Sequence, residues 1–242
     1  MRGPTSGVPA GFGIEFTELT KRALIVLISA YIVELVLLYW FQVDLSGWVF
    51  LNRIGGGHWW PWQPATALLF NSPGVIDAAL DWLILLFFLG PVERLMGKRR
   101  MLVGLAISAA VAALFTSVAD IAGAVASPVP FTGLNPLITA LVVFFGLTLP
   151  NATIRLMFVL PIKAAWVAWG SGVLALLYFL AQRDLGSAML LGGWIGAFAY
   201  MRIGPDQWKK LVLRWKARNV EKELERFTVI DGGRDSDDEY IH

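Results

Sequence analysis

The stretch Phe131 to Gly146 reads FTGLNPLITALVVFFG and places a short polar turn directly before a run of apolar residues. Asn is a favoured helix N-cap and Pro is well tolerated at the first helical position, so Asn135 and Pro136 predict a helix start. The helix should continue to Pro150. Inside a membrane protein, an Asn side chain costs free energy unless it is hydrogen-bonded, so the location of this turn matters.

The composition is far more apolar than that of a soluble protein. Of the 242 residues, 57% are hydrophobic and 16% are charged, and the mean hydropathy is +0.63. Soluble domains carry about 25% charged residues, so the values predict an all-α integral membrane protein. Cysteine is absent, which excludes disulfides and thiolate metal sites.

Six apolar segments are candidates for membrane-spanning helices. They cover residues 23–41, 75–89, 102–119, 137–149, 164–181 and 186–201. At about 1.5 Å per residue, the fourth segment covers only about 20 Å of a hydrocarbon core about 30 Å thick. We expect other helices to surround it, and its start to lie below the outer surface under a water-filled depression above Asn135.

Basic residues predict the orientation of these spans. Lys21 and Arg22 precede the first span, and Arg94, with the run 98–100, follows the second. Because Lys and Arg accumulate in cytoplasmic loops, six spans with both termini cytoplasmic fit these clusters. Glu34 interrupts the first span, and helix packing or snorkelling is favoured for it over a functional role.

Residues 42–72 form a long first loop that is neither apolar enough to span nor polar enough to leave the membrane. It contains three consecutive glycines and the run Trp59-Trp60-Pro61-Trp62. Trp favours the headgroup region, so we expect an irregular interfacial loop. His58 has no partner at metal-ligand spacing and is interpreted as a hydrogen-bonding residue. We expect no cofactor, no metal and no nucleic-acid surface.

The composition changes after residue 204. Aromatic and basic side chains alternate at helical spacing over 205–228, which predicts a basic amphipathic helix on the cytoplasmic leaflet, with docking to a partner protein as the alternative. Its candidate membrane-surface residues are Trp208, Lys209, Lys210, Arg214, Trp215, Lys216 and Arg218. Residues 229–242 predict an acidic disordered tail, 1–20 a flexible N-terminal segment, and 21–204 the membrane domain.

Several motifs in order resemble the rhomboid superfamily over about residues 20–204. They are the pair Trp62-Gln63 in the first loop, GPVERLMG at 90–97, the turn Gly133-Leu134-Asn135-Pro136, and Gly192 with Gly196 on the last span. The resemblance implies a six-helix rhomboid-like bundle. The two glycines also permit close helix packing.

The resemblance implies a Ser-His protease site at positions that hold other residues here. Asn135 stands at the nucleophile position and Met189 at the base position, while Asp77 and Asp81 stand at positions that supply the oxyanion hole. A carboxamide is not an activated nucleophile, a thioether is not a general base, and two carboxylates would repel an oxyanion. The chain therefore resembles an inactive rhomboid, similar in kind to derlins.

Asp77 and Asp81 are four residues apart and share one helical face, which the resemblance points toward Asn135. Two acids this close do not both ionise easily in a poorly solvated site. A structural role as hydrogen-bonding residues is favoured. The alternatives are a client-binding site, an intramembrane hydrolase that uses Asp77 and Asp81, and a proton-linked role. The hydrolase is the weaker one, because aspartyl intramembrane proteases place their acids on different helices.

The leading functional hypothesis is a non-catalytic protein that binds transmembrane clients or partner subunits. Its candidate binding residues are Asp77, Asp81, Gly133, Asn135 and Trp62. A structural subunit of a larger membrane complex is the alternative. The expected partners are the lipid bilayer and transmembrane helices of other proteins. The expected location is a bacterial cytoplasmic (inner) membrane, as a multi-pass protein.

Overall fold

The computed structural model describes residues 17–71, 74–156 and 160–204. The contacts below lie within one compact unit that ends at Arg202. The predicted amphipathic helix at 205–228 and acidic tail at 229–242 lie outside the described residues, as do residues 1–16. Residues 18–20 belong to the first helix, which begins at Glu18.

Helices occupy all six places where the sequence predicts spans. Four of them are long and apolar enough to cross a membrane, and a fifth is apolar but shorter. The four are α1 (Glu18–Tyr39), α3 (Val75–Met96), α4 (Lys98–Ile121) and α6 (Ala164–Gln182); α2 (Gln63–Thr66) lies in the first loop, α5 (Asn135–Thr148) is the shorter apolar helix and α7 (Leu185–Ile203) follows α6. Membrane insertion is therefore supported, while the count of six crossings and the side of the termini stay predictions.

The beginning of α1 lies beside the end of α3. The hydroxyl of Thr17 accepts a hydrogen bond from the backbone N–H of Thr20, at 3.1 Å, and so caps α1. The same hydroxyl donates to the carboxylate of Glu93 in the last turn of α3. These contacts place the start of α1, the end of α3 and the start of α4 at one end of the helix bundle.

The second helix is longer than the sequence predicts. The predicted membrane span ended at residue 89, directly before Gly90 and Pro91. In the structure α3 continues through both and ends at Gly97, whose φ of +81° permits the reversal into α4. Gly90 and Val92 are buried, so tertiary packing outweighs the local preference of Pro91.

The short helix α5 is the core of the bundle. Nine of its 14 residues are buried, and it packs against α3, α4 and α6. This agrees with the prediction that other helices surround it. The predicted cap is wrong by one residue: the carbonyl of Leu134 accepts from Ile138 N–H at 2.9 Å, which makes Leu134 the N-cap. Leu134 is buried, which turns the following Asn135 side chain to the surface.

Glycines bring α7 close to its neighbours. A Cβ atom at Gly192 would lie 2.7 Å from Ala112 Cα, and one at Gly196 would lie 2.8 Å from Ser108 Cα. Backbones approach this closely only where the side chain is a hydrogen, as the sequence analysis expected for this pair.

A small hairpin follows α5. Strands β1 (Thr153–Leu156) and β2 (Leu160–Lys163) pair antiparallel, with Thr153 opposite Lys163. Because an all-α fold was predicted, these two strands were not expected. The alternation of polar and apolar residues in TIRL carries the strand signal. The all-α description therefore holds for the membrane helices but not for this connection.

Candidate functional site

The first loop is held in shape by Gln63, the polar member of the predicted Trp62-Gln63 pair. Its fully buried amide donates to the carbonyls of His58 at 2.7 Å and Gly47 at 3.0 Å, and accepts from Asn52 N–H at 3.1 Å. Three loop segments thus meet at one side chain. Gln63 therefore stabilises the conformation of the first loop through these three hydrogen bonds.

Trp62 belongs to a stack of three indoles on the loop surface, which we call the tryptophan stack. Trp60 lies between Trp62 and Trp48, with ring centroids 4.9 and 5.9 Å apart. The indole N–H of Trp62 donates to the carbonyl of Trp48 at 3.0 Å. All three rings remain exposed. None of the contacts recorded for the described residues joins Trp62 to the turn before α5.

The loop is anchored to the helices by an ion pair between a buried Asp and a half-buried Arg, which was not predicted from the sequence. Asp120, in the last turn of α4, is buried and accepts from Arg53 Nε at 2.9 Å and from Ile54 N–H at 2.6 Å. Leu51 and Phe131 also exchange two backbone hydrogen bonds of 2.9 Å. The sequence shows only that Asp120 directly follows the apolar segment 102–119. It contains no pattern that predicts an ion pair with Arg53.

The turn before α5 is covered by the end of the first loop. Gly133 N–H donates to the carbonyl of Ala67 at 2.9 Å, and the Thr132 hydroxyl donates to the carbonyl of Phe70 at 2.7 Å. Gly133 has a φ of +136°, which other residues rarely adopt. Residues 67–71 therefore occupy part of the space in which a depression was expected.

The side chain of Asn71 is buried beside the turn before α5. It is 5% exposed, and neither its Oδ1 nor its Nδ2 is bonded among the residues that the structure describes. A Cβ atom at Gly133 would lie 4.0 Å from Asn71 Oδ1 and 3.9 Å from Asn135 Nδ2. The two carboxamides therefore face the same glycine. A buried polar group without a partner costs about 1–3 kcal/mol.

Glu34 of α1 extends this polar region. It is 3% exposed, and its carboxyl faces the backbone N–H of Asn71, while Oε2 has no partner within the described part of the chain. Glu34, Asn71, Gly133 and Asn135 form what we call the polar cluster. The sequence analysis identified the last two as site residues and noted Glu34, but missed Asn71, a single Asn that follows apolar Phe70 without a motif.

Asp77 and Asp81 lie beside α1. Asp77 is exposed in the first turn of α3, and its Oδ2 lies close to the N-cap residue Gly74. The helix dipole stabilises a carboxylate at this position. Asp81 is half-buried and within electrostatic range of Asp77, and Tyr31 of α1 is within range of Asp77 and Glu34. No contact recorded for the described residues joins either acid to Asn135, so the expected convergence on that turn is not observed.

Met189 lies inside an apolar cluster formed by α4, α7 and the loops that pack against them. It is 0% exposed and packs in the group that contains Phe131 and Leu185. One turn later, a Cβ atom at Gly193 would lie 2.9 Å from the carbonyl of Pro136. The helix that carries the base position and the turn that carries the nucleophile position are therefore neighbours, but one side chain is buried and the other exposed.

A family comparison bears on the whole membrane domain. The model of a family described as "Eukaryotic integral membrane protein (DUF1751)" matches residues 23–211, which is more than half of the chain. This family groups rhomboid-like, derlin-type proteins, so the resemblance is confirmed at that level. Because the family is eukaryotic, the expected bacterial inner-membrane location is wrong; apolar composition does not distinguish the two kinds of membrane. None of the curated proteins compared with the chain matches it.

Proposed function

Because the chain belongs to the family of eukaryotic integral membrane proteins described as DUF1751, we propose that it is a rhomboid-like pseudoprotease that binds membrane segments of other proteins. In this proposal, the scaffold receives a transmembrane client or partner at the polar cluster and does not cleave it. The observation that carries the proposal is the buried carboxamide of Asn71 beside the Gly133 turn, which has no hydrogen-bond partner among the residues that the structure describes.

The side chains at the two protease positions support binding over cleavage. Asn135 offers a carboxamide, which has no nucleophilic oxygen that a base could activate. Met189 offers a buried thioether, which neither accepts nor donates a proton at neutral pH. Asp77 and Asp81 lie on successive turns of one helix, with Asp77 exposed at the helix start, which disfavours a water held between two carboxylates.

The polar cluster suits a segment whose backbone is not fully paired. A carboxamide carries donors and an acceptor, so Asn71 complements a peptide group exposed at a Gly, Pro or polar residue within a client helix. Such a peptide group is costly in lipid and gains most from a partner inside a protein. The expected clients are therefore spans that contain helix breakers.

An Asn71→Leu variant should separate stability from binding. We expect unfolding in mild detergent to require about 1–2 kcal/mol more free energy, because the variant removes a buried polar group that has no partner within residues 17–71, 74–156 and 160–204. Capture of single-span clients with a central Gly or Pro should fall about tenfold, the equivalent of one hydrogen-bonded pair. Tryptophan fluorescence reports unfolding, and crosslinking in native membranes reports capture.

Thr132→Val is the matched control for this variant. The Thr132 hydroxyl is hydrogen-bonded to Phe70, so its loss should destabilise the protein by about 1 kcal/mol. If Asn71→Leu were destabilising to the same extent, Asn71 would be a structural residue and the binding proposal would lose its support. Cleavage of transmembrane substrates that disappears in Asn135→Ala or Asp81→Ala would instead establish a protease.

The exposed tryptophan stack favours one second candidate, a structural subunit of a larger membrane complex. Three stacked indoles on a fastened loop present a rigid amphipathic surface, and Trp is enriched where proteins meet. Purification in mild detergent distinguishes the two functions. One stoichiometric partner would indicate a subunit, whereas many substoichiometric single-span proteins would indicate client binding.

A further inference from the structure

An apolar cleft lies near the beginning of α1, bounded by α1, α3, α4 and α5. Its volume is about 310 Å³, and thirteen of its fourteen lining residues are apolar. Leu68 and Leu69 of the first loop close it at one side. Val26 and Leu102 remain exposed along its edge, so the cleft opens toward the lipid-facing surface of the bundle.

The mouth of the cleft is basic. Arg22 is the charged residue among those that line the cleft, and its side chain is exposed. Within the described ranges, no carboxylate lies at salt-bridge distance from it. Lys98 and Arg99 precede Leu102 by four and three residues, so they lie on the face of α4 that lines the cleft. Both helix starts belong to the same end of the bundle, as the contact between Thr17 and Glu93 shows.

The neighbouring acids do not neutralise this mouth. Glu18 forms an ion pair with Lys21 at 3.4 Å, on the helix turn before Arg22. Glu93 accepts a hydrogen bond from Thr17. A positive charge therefore remains beside an apolar cleft, which is the arrangement that recognises an anionic group attached to a hydrocarbon chain.

We propose that this cleft binds an anionic phospholipid, with one acyl chain between α1 and α4 and the phosphate at Arg22. The uncompensated charge of Arg22 at the mouth favours an anionic amphiphile over an apolar protein helix, which has no group to pair with it. A polar ligand would find no hydrogen-bond partners along the leucine-rich walls. A flexible hydrocarbon chain needs neither width nor partners.

The test uses the full chain in nanodiscs with phosphatidylserine or phosphatidylcholine that carries a photoreactive acyl chain. Wild-type protein should be labelled at cleft residues about five times more strongly by phosphatidylserine, the ratio expected from one basic residue at a membrane surface. Arg22→Gln should remove this preference. Lys163→Gln, which removes an exposed charge outside the cleft and leaves the Glu18–Lys21 pair intact, should keep it.

A second variant tests the cavity separately from the charge. Ala23 lines the cleft, so Ala23→Phe should fill it and abolish labelling by both lipids, with Arg22 retained. Equal labelling of wild-type protein by the two lipids would overturn the proposal, as would equal losses in Arg22→Gln and Lys163→Gln. Crosslinks at Val26 to residues 1–16 or to another protein, in place of lipid, would overturn it too. None of these outcomes depends on the polar cluster or on client binding.

Discussion

A Gly146→Ala variant is expected to lose about 3 kcal/mol of folding free energy, whereas Gly170→Ala is expected to gain about 0.5 kcal/mol. Both residues are helical glycines that receive the same methyl group. The difference lies in what that methyl group meets. At Gly146 it would lie 2.5 Å from the Ala164 carbonyl oxygen and 2.5 Å from Ala168 Cβ, while at Gly170 nothing lies within 4 Å.

The Gly146 contact cannot be relieved by a rotamer change. The nearest atom belongs to the backbone of α6, so α5 and α6 would have to separate. Because α5 is the buried centre of the bundle, that movement would disturb its packing against α3 and α4 as well. At Gly170 the methyl group only improves helix propensity.

Unfolding of the two variants in mixed detergent micelles, followed by tryptophan fluorescence, measures this difference. Both variants should be compared with the wild-type chain at equal protein-to-detergent ratio. A Gly146→Ala variant as stable as wild type would mean that α5 and α6 are further apart than the structure places them.

An Asp120→Ala variant is expected to lose about 2 kcal/mol of folding free energy, because a backbone N–H loses its acceptor and a half-buried guanidinium loses its charge partner. The change leaves the Arg53 guanidinium and the Ile54 N–H without their acceptor. Asp44→Ala is the control, since Asp44 is exposed and accepts hydrogen bonds from its near neighbour Ser46, from the backbone N–H at 2.8 Å and from the hydroxyl. The control should lose no more than about 1 kcal/mol.

An Asp120→Asn variant separates the contribution of the Ile54 hydrogen bond from that of the charge attraction to Arg53. An amide oxygen still accepts from Ile54 N–H, but the attraction to Arg53 is lost, so we expect about half of the alanine loss. A double-mutant cycle with Arg53→Gln gives the coupling free energy of the pair. A coupling near zero would show that Asp120 acts through the Ile54 backbone alone.

The helical content of the membrane domain could be predicted because apolar runs carry a strong signal. All six predicted segments contain a helix, and the short fourth one is the buried centre. Their ends could not be predicted as well. The helix α3 runs through Pro91, and α5 starts after a Leu134 cap, because buried neighbours fix these positions more strongly than local preference does.

The candidate site could be predicted only where a motif marks it. Gly133 and Asn135 stand in a motif-like turn and do lie in the polar cluster. Asn71 and Asp120 were missed because their importance comes from residues distant in sequence, such as Gly133 for the first and Arg53 for the second. Spacing along one chain segment contains no information about such contacts.

The long-range hydrogen bonds of the first loop also limit the order in which the helices assemble during folding. Arg53 is hydrogen-bonded to Asp120, and the Phe70 carbonyl is hydrogen-bonded to Thr132. Each contact joins residues more than 60 positions apart, with α3 and α4 between them. Closing loops of this length has an entropic cost that only later contacts offset. The α3–α4 pair is therefore expected to form first, and the loop to acquire amide-exchange protection only after α5 has docked.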